Sequence, residues 1–271
     1  MMMDAFLLNY FQCVLELNKL LGMRFVWDGN TYVSPGLRTP IGKSVARVML
    51  YHNKGDFDNR NVEIGILCLL ARHLQMIQEY DTGLLKQFRR RIHAILKWED
   101  YFGWRMEVNI AASLIKKSIS FTKGESPDFT IPSEGVHIEC GSIHLSRHKQ
   151  TDALKKLALS ILGKSRKPYC NTATALFLDF TNVFHAMESG SMRRKESDEL
   201  KSFVTSIFAQ SRSDFGSVLL FGYWLSSSYV IHSSYLRTDN PLIDRRLLVF
   251  LNSHYPLGKH WTGPQWLPEQ G

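Results

Sequence analysis

The chain has 271 residues, of which 44% are hydrophobic and 12% aromatic, so it is long enough to bury a sizeable core. Lys and Arg outnumber Asp and Glu by 33 to 25, and the net charge of +8 favours a polyanionic partner. The four cysteines lack CxxC spacing and no run of about 18 uncharged apolar residues occurs, which argues against a disulfide framework, a zinc ribbon and a membrane span. With Asp4 where an export signal would be basic, we expect a cytoplasmic protein.

The first hundred residues have the pattern of a helical region. Apolar residues recur at helical spacing over residues 4–22, between a predicted N-cap at Asp4 and a stop at Gly22. Several glycines and two prolines interrupt residues 23–60, which predicts a hairpin or loop with room for a helix near residues 45–51. Residues 61–78 and 82–98 predict two more helices. We place the end of this helical N-terminal region at residue 97.

From residue 98 onward, predicted helices alternate with predicted strands. The pattern predicts helices near residues 104–117, 151–162, 198–210 and 241–251, and strands near residues 136–143, 173–182, 217–225 and 228–235. Alternation of this kind is typical of an α/β fold, so we predict an α/β core over residues 98–254. The tail, residues 255–271, is rich in Gly and Pro and is predicted to be irregular.

Two carboxylates in the core have the spacing of a shared metal site. Asp128 lies at a strand entry and Glu139, eleven positions later, lies in the next strand. The turn at residues 132–135 allows the two strands to fold into a hairpin with both carboxylates on one side. Magnesium prefers hard oxygen ligands, usually one or two carboxylates completed by water and substrate phosphate. The backbone carbonyl of Cys140 is a further candidate ligand, and Glu107 on the preceding helix is a candidate third acidic residue.

This order of elements resembles the PD-(D/E)XK nuclease superfamily over about 80 of the 271 residues. Pro127-Asp128 matches the first motif element and Glu139-Cys140-Gly141 matches the second, while Glu107 matches the acidic residue often found on the preceding helix. The resemblance implies a restriction-endonuclease-like core with a central mixed sheet flanked by helices. It also implies phosphodiester hydrolysis with Mg²⁺, for which Mn²⁺ can substitute, on DNA more readily than on RNA. A homodimer or a protein partner is expected by the same analogy.

The sequence departs from the motif at Gly141, which occupies the position of the family's lysine. In some members of such families a basic residue from the following helix takes over this role. On a helical wheel of residues 151–164, Lys155 and Lys164 lie at the two edges of the apolar stripe, and Lys156 lies nearly opposite it. Lys155 is the first choice for the catalytic cation and Lys164 is the second, because a lysine there would stabilise the charge on the phosphate.

Basic residues surround the acidic pair in sequence and predict a surface that contacts phosphates. The candidates for nucleic-acid binding are Arg147, Lys149, Lys156, Arg166 and Lys167. A second basic cluster lies at residues 89–91. The ordinary alternative for each cluster is a solvated helix face.

Other interpretations remain open at this level. The absent lysine allows a catalytically inactive nuclease-like subunit that binds nucleic acid or assembles with a partner, and a non-nuclease α/β protein is a third possibility. The third possibility predicts that Asp128 and Glu139 do not meet. His137, His144 and His148 flank the Glu139 strand but lack a convincing fourth zinc ligand. Gly42-Lys43-Ser44 is not a phosphate-binding loop, because Leu37 occupies the place of its first glycine.

Overall fold

The chain consists of two compact units. The computed structural model describes residues 5–33, 39–143, 153–181, 183, 194–210, 214–225, 230–257 and 261–265. The first unit comprises Met1–Ile115, Leu225–Ile231 and Gly263–Gly271, and the second comprises Lys116–Trp224 and His232–Thr262. The division follows Ile115, whereas the sequence boundary was placed at residue 97. The helix that begins at Trp98 therefore belongs to the first unit.

The first unit is built from helices and one short hairpin. The helices are α1 (Ala5–Leu21), α2 (Pro40–Asn53), α3 (Phe57–Tyr80), α4 (Thr82–Ala94) and α5 (Trp98–Lys116). Strands β1 (Val26–Trp27) and β2 (Tyr32–Val33) pair antiparallel between α1 and α2. The predicted helices are confirmed, and α2 is longer than the segment expected near residues 45–51. Helix α3 packs against α1, α2 and α4.

Local sequence signals account for several of these helix ends. Thr39 caps α2, its hydroxyl accepting from the Gly42 amide, and the proline at position 40 begins the helix. Asp81 ends α3 and also caps α4 by accepting from the Gly83 amide at 2.7 Å. Trp104 is fully buried, and its indole N–H donates to the Phe88 carbonyl at 3.1 Å. Large aromatic side chains therefore anchor α5 to α4.

A seven-stranded sheet lies almost wholly in the second unit. Its strands, in their spatial order, are β3 (Thr122–Lys123), β4 (Phe129–Ile131), β5 (Val136–Ser142), β6 (Thr174–Asp179), β7 (Ser217–Leu225), β8 (Val230–Asp239) and β9 (Trp261–Gln265). The pairs β3–β4 and β4–β5 are antiparallel, and β5, β6 and β7 run parallel. The sheet is therefore mixed and the fold is α/β, as predicted. The tail was wrongly predicted to be irregular throughout, because β9 extends the sheet at its edge.

Helices cover both faces of this sheet. They are α6 (Ala153–Ser165), α7 (Arg194–Ala209) and α8 (Arg245–His254). One face packs under α6 and α7, where Leu157, Leu176 and Val204 belong to one buried cluster. On the other face, the Phe177 ring contacts the ring of Tyr255, which follows α8, at 5.1 Å between centroids. Strand β6 is buried along its whole length, since it lies between two layers of helices. None of the described helices is long and apolar enough to cross a membrane.

Candidate active site

The β4–β5 hairpin brings the predicted acidic pair together. Phe129 pairs with Ile138, which is the last pair of the antiparallel register. Asp128 precedes Phe129 and Glu139 follows Ile138, so continuing this register places Asp128 opposite Glu139. The four-residue connection contains Gly135 at φ +63°, a left-handed conformation that glycine adopts at little cost. Side chains directly opposite in an antiparallel pair have Cβ atoms about 4.5–5.5 Å apart. The predicted hairpin is confirmed, and it places both carboxylates on one face of the sheet.

A backbone hydrogen bond fixes the orientation of the Asp128 carboxylate. The Cys140 amide donates to Asp128 Oδ2 at 2.7 Å. Alternate residues of a strand direct their backbone groups to opposite neighbours. The His137 amide donates to the Ala173 carbonyl, on the β6 side of β5. Cys140 lies three residues further along β5, so its amide points to the opposite side, toward β4. The Cys140 carbonyl points the same way, toward Asp128, which is the direction required of the predicted backbone ligand.

A buried lysine holds the other oxygen of Asp128. Lys123 Nζ lies 3.1 Å from Asp128 Oδ1 and donates to the Gly124 carbonyl at 2.6 Å. The side chains of Lys123 and Asp128 are only 5% and 8% exposed, so the pair is largely removed from water. The ammonium also lies 5.2 Å from the centre of the Phe129 ring. This pair is therefore a buried, desolvated ion pair at the head of β4.

A second lysine reaches Glu139 across the glycine of the motif. Lys164 Nζ donates to Glu139 Oε1 at 2.6 Å from the last turn of α6. A Cβ atom added at Gly141 would lie 3.0 Å from Lys164 Cε and 3.8 Å from its Nζ. The side chain of Lys164 thus lies in the space that a side chain at position 141 would enter. Its ammonium is close to Glu139, although it comes from a helix and not from the strand.

The close contact predicts a cost for any side chain at position 141. In Gly141→Ala the new Cβ would also lie 2.9 Å from Leu178 Cδ2, a separation that Cβ atoms in real proteins essentially never show. Leu178 is fully buried and has little room to move, so we expect the overpacking to cost about 1–3 kcal/mol of stability. Urea denaturation of the variant measures it, with Gly163→Ala as the control, because a Cβ at Gly163 meets nothing within 4 Å. The control should gain about 0.5–1 kcal/mol, since alanine favours the helix over glycine. Equal stability of the wild type and Gly141→Ala would contradict the tight packing.

Two polar atoms beside the acidic pair are buried and lack hydrogen-bond partners in the described part of the chain. They are Glu139 Oε2 and the hydroxyl oxygen of Tyr169. Glu139 is only 5% exposed. Burial raises the pKa of Tyr169, and the carboxylates of Glu139 and Asp128 raise it further. The phenol therefore stays protonated, with Glu139 and Ser126 within reach of its hydroxyl.

These residues fit a hard divalent cation. An unpaired, buried carboxylate oxygen costs about 1–3 kcal/mol or more, and a cation at Glu139 Oε2 would remove that cost. Within the described ranges no group of three His, Cys, Asp or Glu side chains is arranged to hold a metal ion. Water and substrate phosphate would have to complete the coordination of a cation held by Asp128 and Glu139, which is the usual arrangement for magnesium.

Glu107 already has a cationic partner inside the first unit. Its two carboxylate oxygens accept from the guanidinium of Arg91, with Arg91 Nη2 at 2.8 Å from Glu107 Oε1. Glu107 is 5% exposed. Arg89, also from the basic cluster at residues 89–91, donates to the Leu20 carbonyl at 2.9 Å at the end of α1. Two members of this cluster therefore have structural partners within the helical unit.

The predicted basic residues are distributed along and beyond α6. Lys155 is exposed in the first turns of the helix and Lys156 is half-buried. Arg166 and Lys167 are exposed in the turn that follows. Lys155 lies nine positions before Lys164, about 13.5 Å along the helix axis. The structure therefore brings Lys164 to Glu139, and Lys155, the first choice from sequence, lies at the other end of α6.

The remaining predicted residues are placed as follows. Arg147, Lys149, His144 and His148 lie outside the described residues. The ring Nδ1 of His137 is 3.0 Å from Thr130 Oγ1 on the facing strand. This contact gives His137 a partner without a metal.

Sequence reasoning missed two residues of this site, Lys123 and Tyr169. Lys123 lies on a two-residue strand, too short for a period-2 signal, although its position five residues before Asp128 could have drawn attention. Tyr169 lies in an irregular turn between α6 and β6, where no periodicity points toward the site.

A search of protein-family models, of curated proteins and of solved structures found no match to this chain.

Proposed function

We propose that the second unit is a magnesium-dependent nuclease that hydrolyses phosphodiester bonds, with DNA as the preferred substrate. The observation that carries the proposal is the position of Lys164, whose ammonium lies 2.6 Å from Glu139 Oε1 over the vacant side-chain position of Gly141. The motif residue that the sequence lacks is thus supplied from α6. Asp128, Glu139 and Lys164 then form a complete set of two carboxylates and one cation.

Each residue has a role that follows from its contacts. Asp128 and Glu139 would hold the cation, and the Cys140 amide and Lys123 keep the Asp128 carboxylate oriented. A bound magnesium ion would polarise the phosphate and lower the pKa of a coordinated water. Lys164, fixed by Glu139, places a positive charge where negative charge develops on the phosphate oxygens. Exposed Arg166 and Lys167, just beyond the helix end, would contact neighbouring phosphates of the nucleic acid.

The charge balance of the site favours a second candidate function. Lys123 and Lys164 neutralise Asp128 and Glu139 pair by pair. A site that is already neutral can persist without a metal, as in a nuclease-like subunit that binds nucleic acid and no longer cuts it. The two ion pairs leave the buried oxygen Glu139 Oε2 without a hydrogen-bond partner among the described residues. This observation favours the metal-binding, active enzyme over the inactive subunit.

Metal-dependent stability separates the two candidates. We expect Mg²⁺ or Mn²⁺ to raise the melting temperature of the wild type, since a ligand that binds only the folded state stabilises it by about 2.7 kcal/mol at 100 times its Kd. Asp128→Asn, which keeps the shape of the side chain but removes its charge, should abolish most of the shift. Differential scanning fluorimetry across a metal titration, with EDTA as the baseline, measures both proteins.

Cleavage of labelled duplex and single-stranded DNA and RNA tests the activity itself. We expect cleavage in Mg²⁺ or Mn²⁺ that stops in EDTA and in Asp128→Asn. A metal-induced shift without cleavage of any substrate would indicate a retained metal site without catalysis. Neither a shift nor cleavage, with binding of nucleic acid retained, would favour the inactive binding subunit.

A further inference from the structure

Helix α4 has an apolar inner face and a cationic outer face. Its 13 residues include one lysine, three arginines and one histidine, and neither Asp nor Glu. The residues that it buries are Leu84, Leu85, Phe88 and Ile92. With 3.6 residues per turn, Lys86 and Arg90 lie on the side of the helix opposite to this buried face, one turn apart. Both are exposed, so the outer face of α4 presents two cations to solvent.

The other two arginines of α4 attach the helix to its neighbours. Arg89 donates through Nε to the Leu20 carbonyl at 2.9 Å and through Nη2 to the Lys19 carbonyl at 3.1 Å. Both carbonyls belong to the last turn of α1, where carbonyl groups have no partner within the helix. Arg91 instead pairs with Glu107 of α5. Glu107 neutralises Arg91, whereas the carbonyl partners of Arg89 leave its positive charge uncompensated.

Four cations therefore form one surface, which we call the basic face: Lys19, Lys86, Arg89 and Arg90. Lys19 is exposed at the end of α1, and the bond from Arg89 to its carbonyl joins it to α4. The side chains of Lys19, Lys86 and Arg90 make no hydrogen bond or ion pair within the part of the chain that the structure describes. Against these cations α1 and α4 together contain one acidic residue, Glu16. The basic face thus has an excess of positive charge.

The chemistry of the outer face matches a phosphate backbone. The exposed residues of α4 are Thr82, Gly83, Lys86, Gln87, Arg90, Arg91, His93 and Ala94. None of them is a large apolar residue, whereas a helix that binds a lipid surface inserts an apolar face and the core of a protein interface is rich in aromatic residues. Single-stranded nucleic acid is usually held on stacking aromatic rings, and this face has no Phe, Tyr or Trp. Backbone contacts to duplex DNA need only cations and other donors.

We propose that the basic face of the helical unit binds the phosphate backbone of double-stranded DNA, independently of base sequence. The choice of ligand rests on the proposed nuclease function, and the basic face adds a contact surface outside the candidate active site. Lys86 and Arg90 are about 6 Å apart along the helix axis, and each strand of duplex DNA carries a charge about every 3.4 Å, so the two can contact different phosphates. Contacts of this kind supply affinity and read no bases.

The salt dependence of DNA binding tests the basic face. The full chain is titrated into fluorescein-labelled duplex DNA in EDTA, which prevents metal-dependent cleavage, at several NaCl concentrations, and anisotropy gives the association constant. In Lys86→Gln with Arg90→Gln, the slope of the logarithm of this constant against the logarithm of salt concentration should be shallower by about 1.8, because each lost phosphate contact removes about 0.9. Binding at about 0.1 M salt should weaken by roughly tenfold or more.

Two matched variants separate a phosphate contact from an effect of net charge or of folding. Lys43→Gln with Lys54→Gln removes the same charge from exposed lysines near the two ends of α2, and its slope should stay within about 0.5 of the wild type. The exchange Lys86→Arg with Arg90→Lys keeps both charges and should keep the slope of the wild type. Exposed side chains without partners can be replaced with little effect on stability, so all three variants should fold.

The outcomes distinguish this inference from the nuclease function. It is overturned if the wild type does not bind duplex DNA in EDTA, if the slope is unchanged in Lys86→Gln with Arg90→Gln, or if the α2 variant loses as much. Binding to phosphatidylserine vesicles that this double variant loses, with its DNA binding unchanged, would assign the basic face to a membrane and also overturn it. The expected slopes without cleavage of any substrate in Mg²⁺ or Mn²⁺ would support the basic face and contradict the nuclease. Cleavage with an unchanged slope would do the reverse.

Discussion

Lys164→Met should lower kcat by about 10²–10³-fold, because loss of one preoriented electrostatic contact to the transition state typically has that effect. The ammonium of Lys164 is 2.6 Å from Glu139 and its side chain is 28% exposed, so it is anchored but open to a substrate. Methionine keeps the length and the packing of the chain. Steady-state kinetics on the best DNA substrate in Mg²⁺ measures the loss, which should fall on kcat more than on KM.

The matched variant Lys155→Met decides between the two lysines that sequence alone proposed. Lys155 is exposed and lies about 13.5 Å along α6 from Lys164. We therefore expect the kcat of Lys155→Met to stay within about threefold of the wild type. Weaker binding of DNA by Lys155→Met would indicate a phosphate contact. A large kcat loss in Lys155→Met with normal kinetics in Lys164→Met would show that the first choice from sequence was correct.

A lysine returned to position 141 on β5 is a stricter test of whether Lys164 replaces the motif lysine. In the double variant Gly141→Lys with Lys164→Met, the new lysine starts from the motif position and its chain enters the space that the Lys164 ammonium has left. We expect it to recover about tenfold over Lys164→Met alone, short of the wild type because the contacts of the new Cβ with Leu178 and with the end of the side chain at position 164 remain tight. No recovery, with an intact fold and normal Mn²⁺ binding, would argue that Lys164 does not replace the motif lysine.

Lys123→Met should destabilise the protein in EDTA by about 3–5 kcal/mol, the usual result of removing one partner of a buried ion pair. Asp128 then loses its ion pair at 8% exposure, while the Cys140 amide still donates to it. Urea denaturation, with hydrogen exchange of the β5 amides as a local probe, measures the loss.

Two controls test whether the charge of Asp128 causes this loss. The double variant Lys123→Met with Asp128→Asn should regain most of the stability, because neither charge is then buried alone. Mg²⁺ should stabilise Lys123→Met more than the wild type, since the ion can replace the missing positive charge. If Lys123→Met costs the same stability with and without the Asp128→Asn substitution, Lys123 acts through packing and not through its charge.

Much of the architecture follows from signals that are local in the sequence. Helical spacing between Asp4 and Gly22 predicted α1, and the turn before Gly135 predicted the β4–β5 hairpin that the register confirms. Once two strands and their turn are assigned, the two-residue period decides which side chains share a face. The meeting of Asp128 with Glu139 was therefore predictable. Strand β9 was not, because its pairing partner β8 is distant from the tail in sequence and the tail has no alternating pattern.

The sequence by itself determined the two carboxylates, their hairpin, the α/β class and the absence of a lysine at position 141. The tertiary structure decided which cations meet those carboxylates. A helical wheel gives the angle of a side chain around α6, and Lys155 and Lys164 are equivalent by that measure. The packing of α6 on β5 sets the position along the helix axis and brings the last turn to Glu139. Lys123 and Tyr169 reach the site from a two-residue strand and a turn, where no sequence period encodes direction, so only the folded chain reveals them.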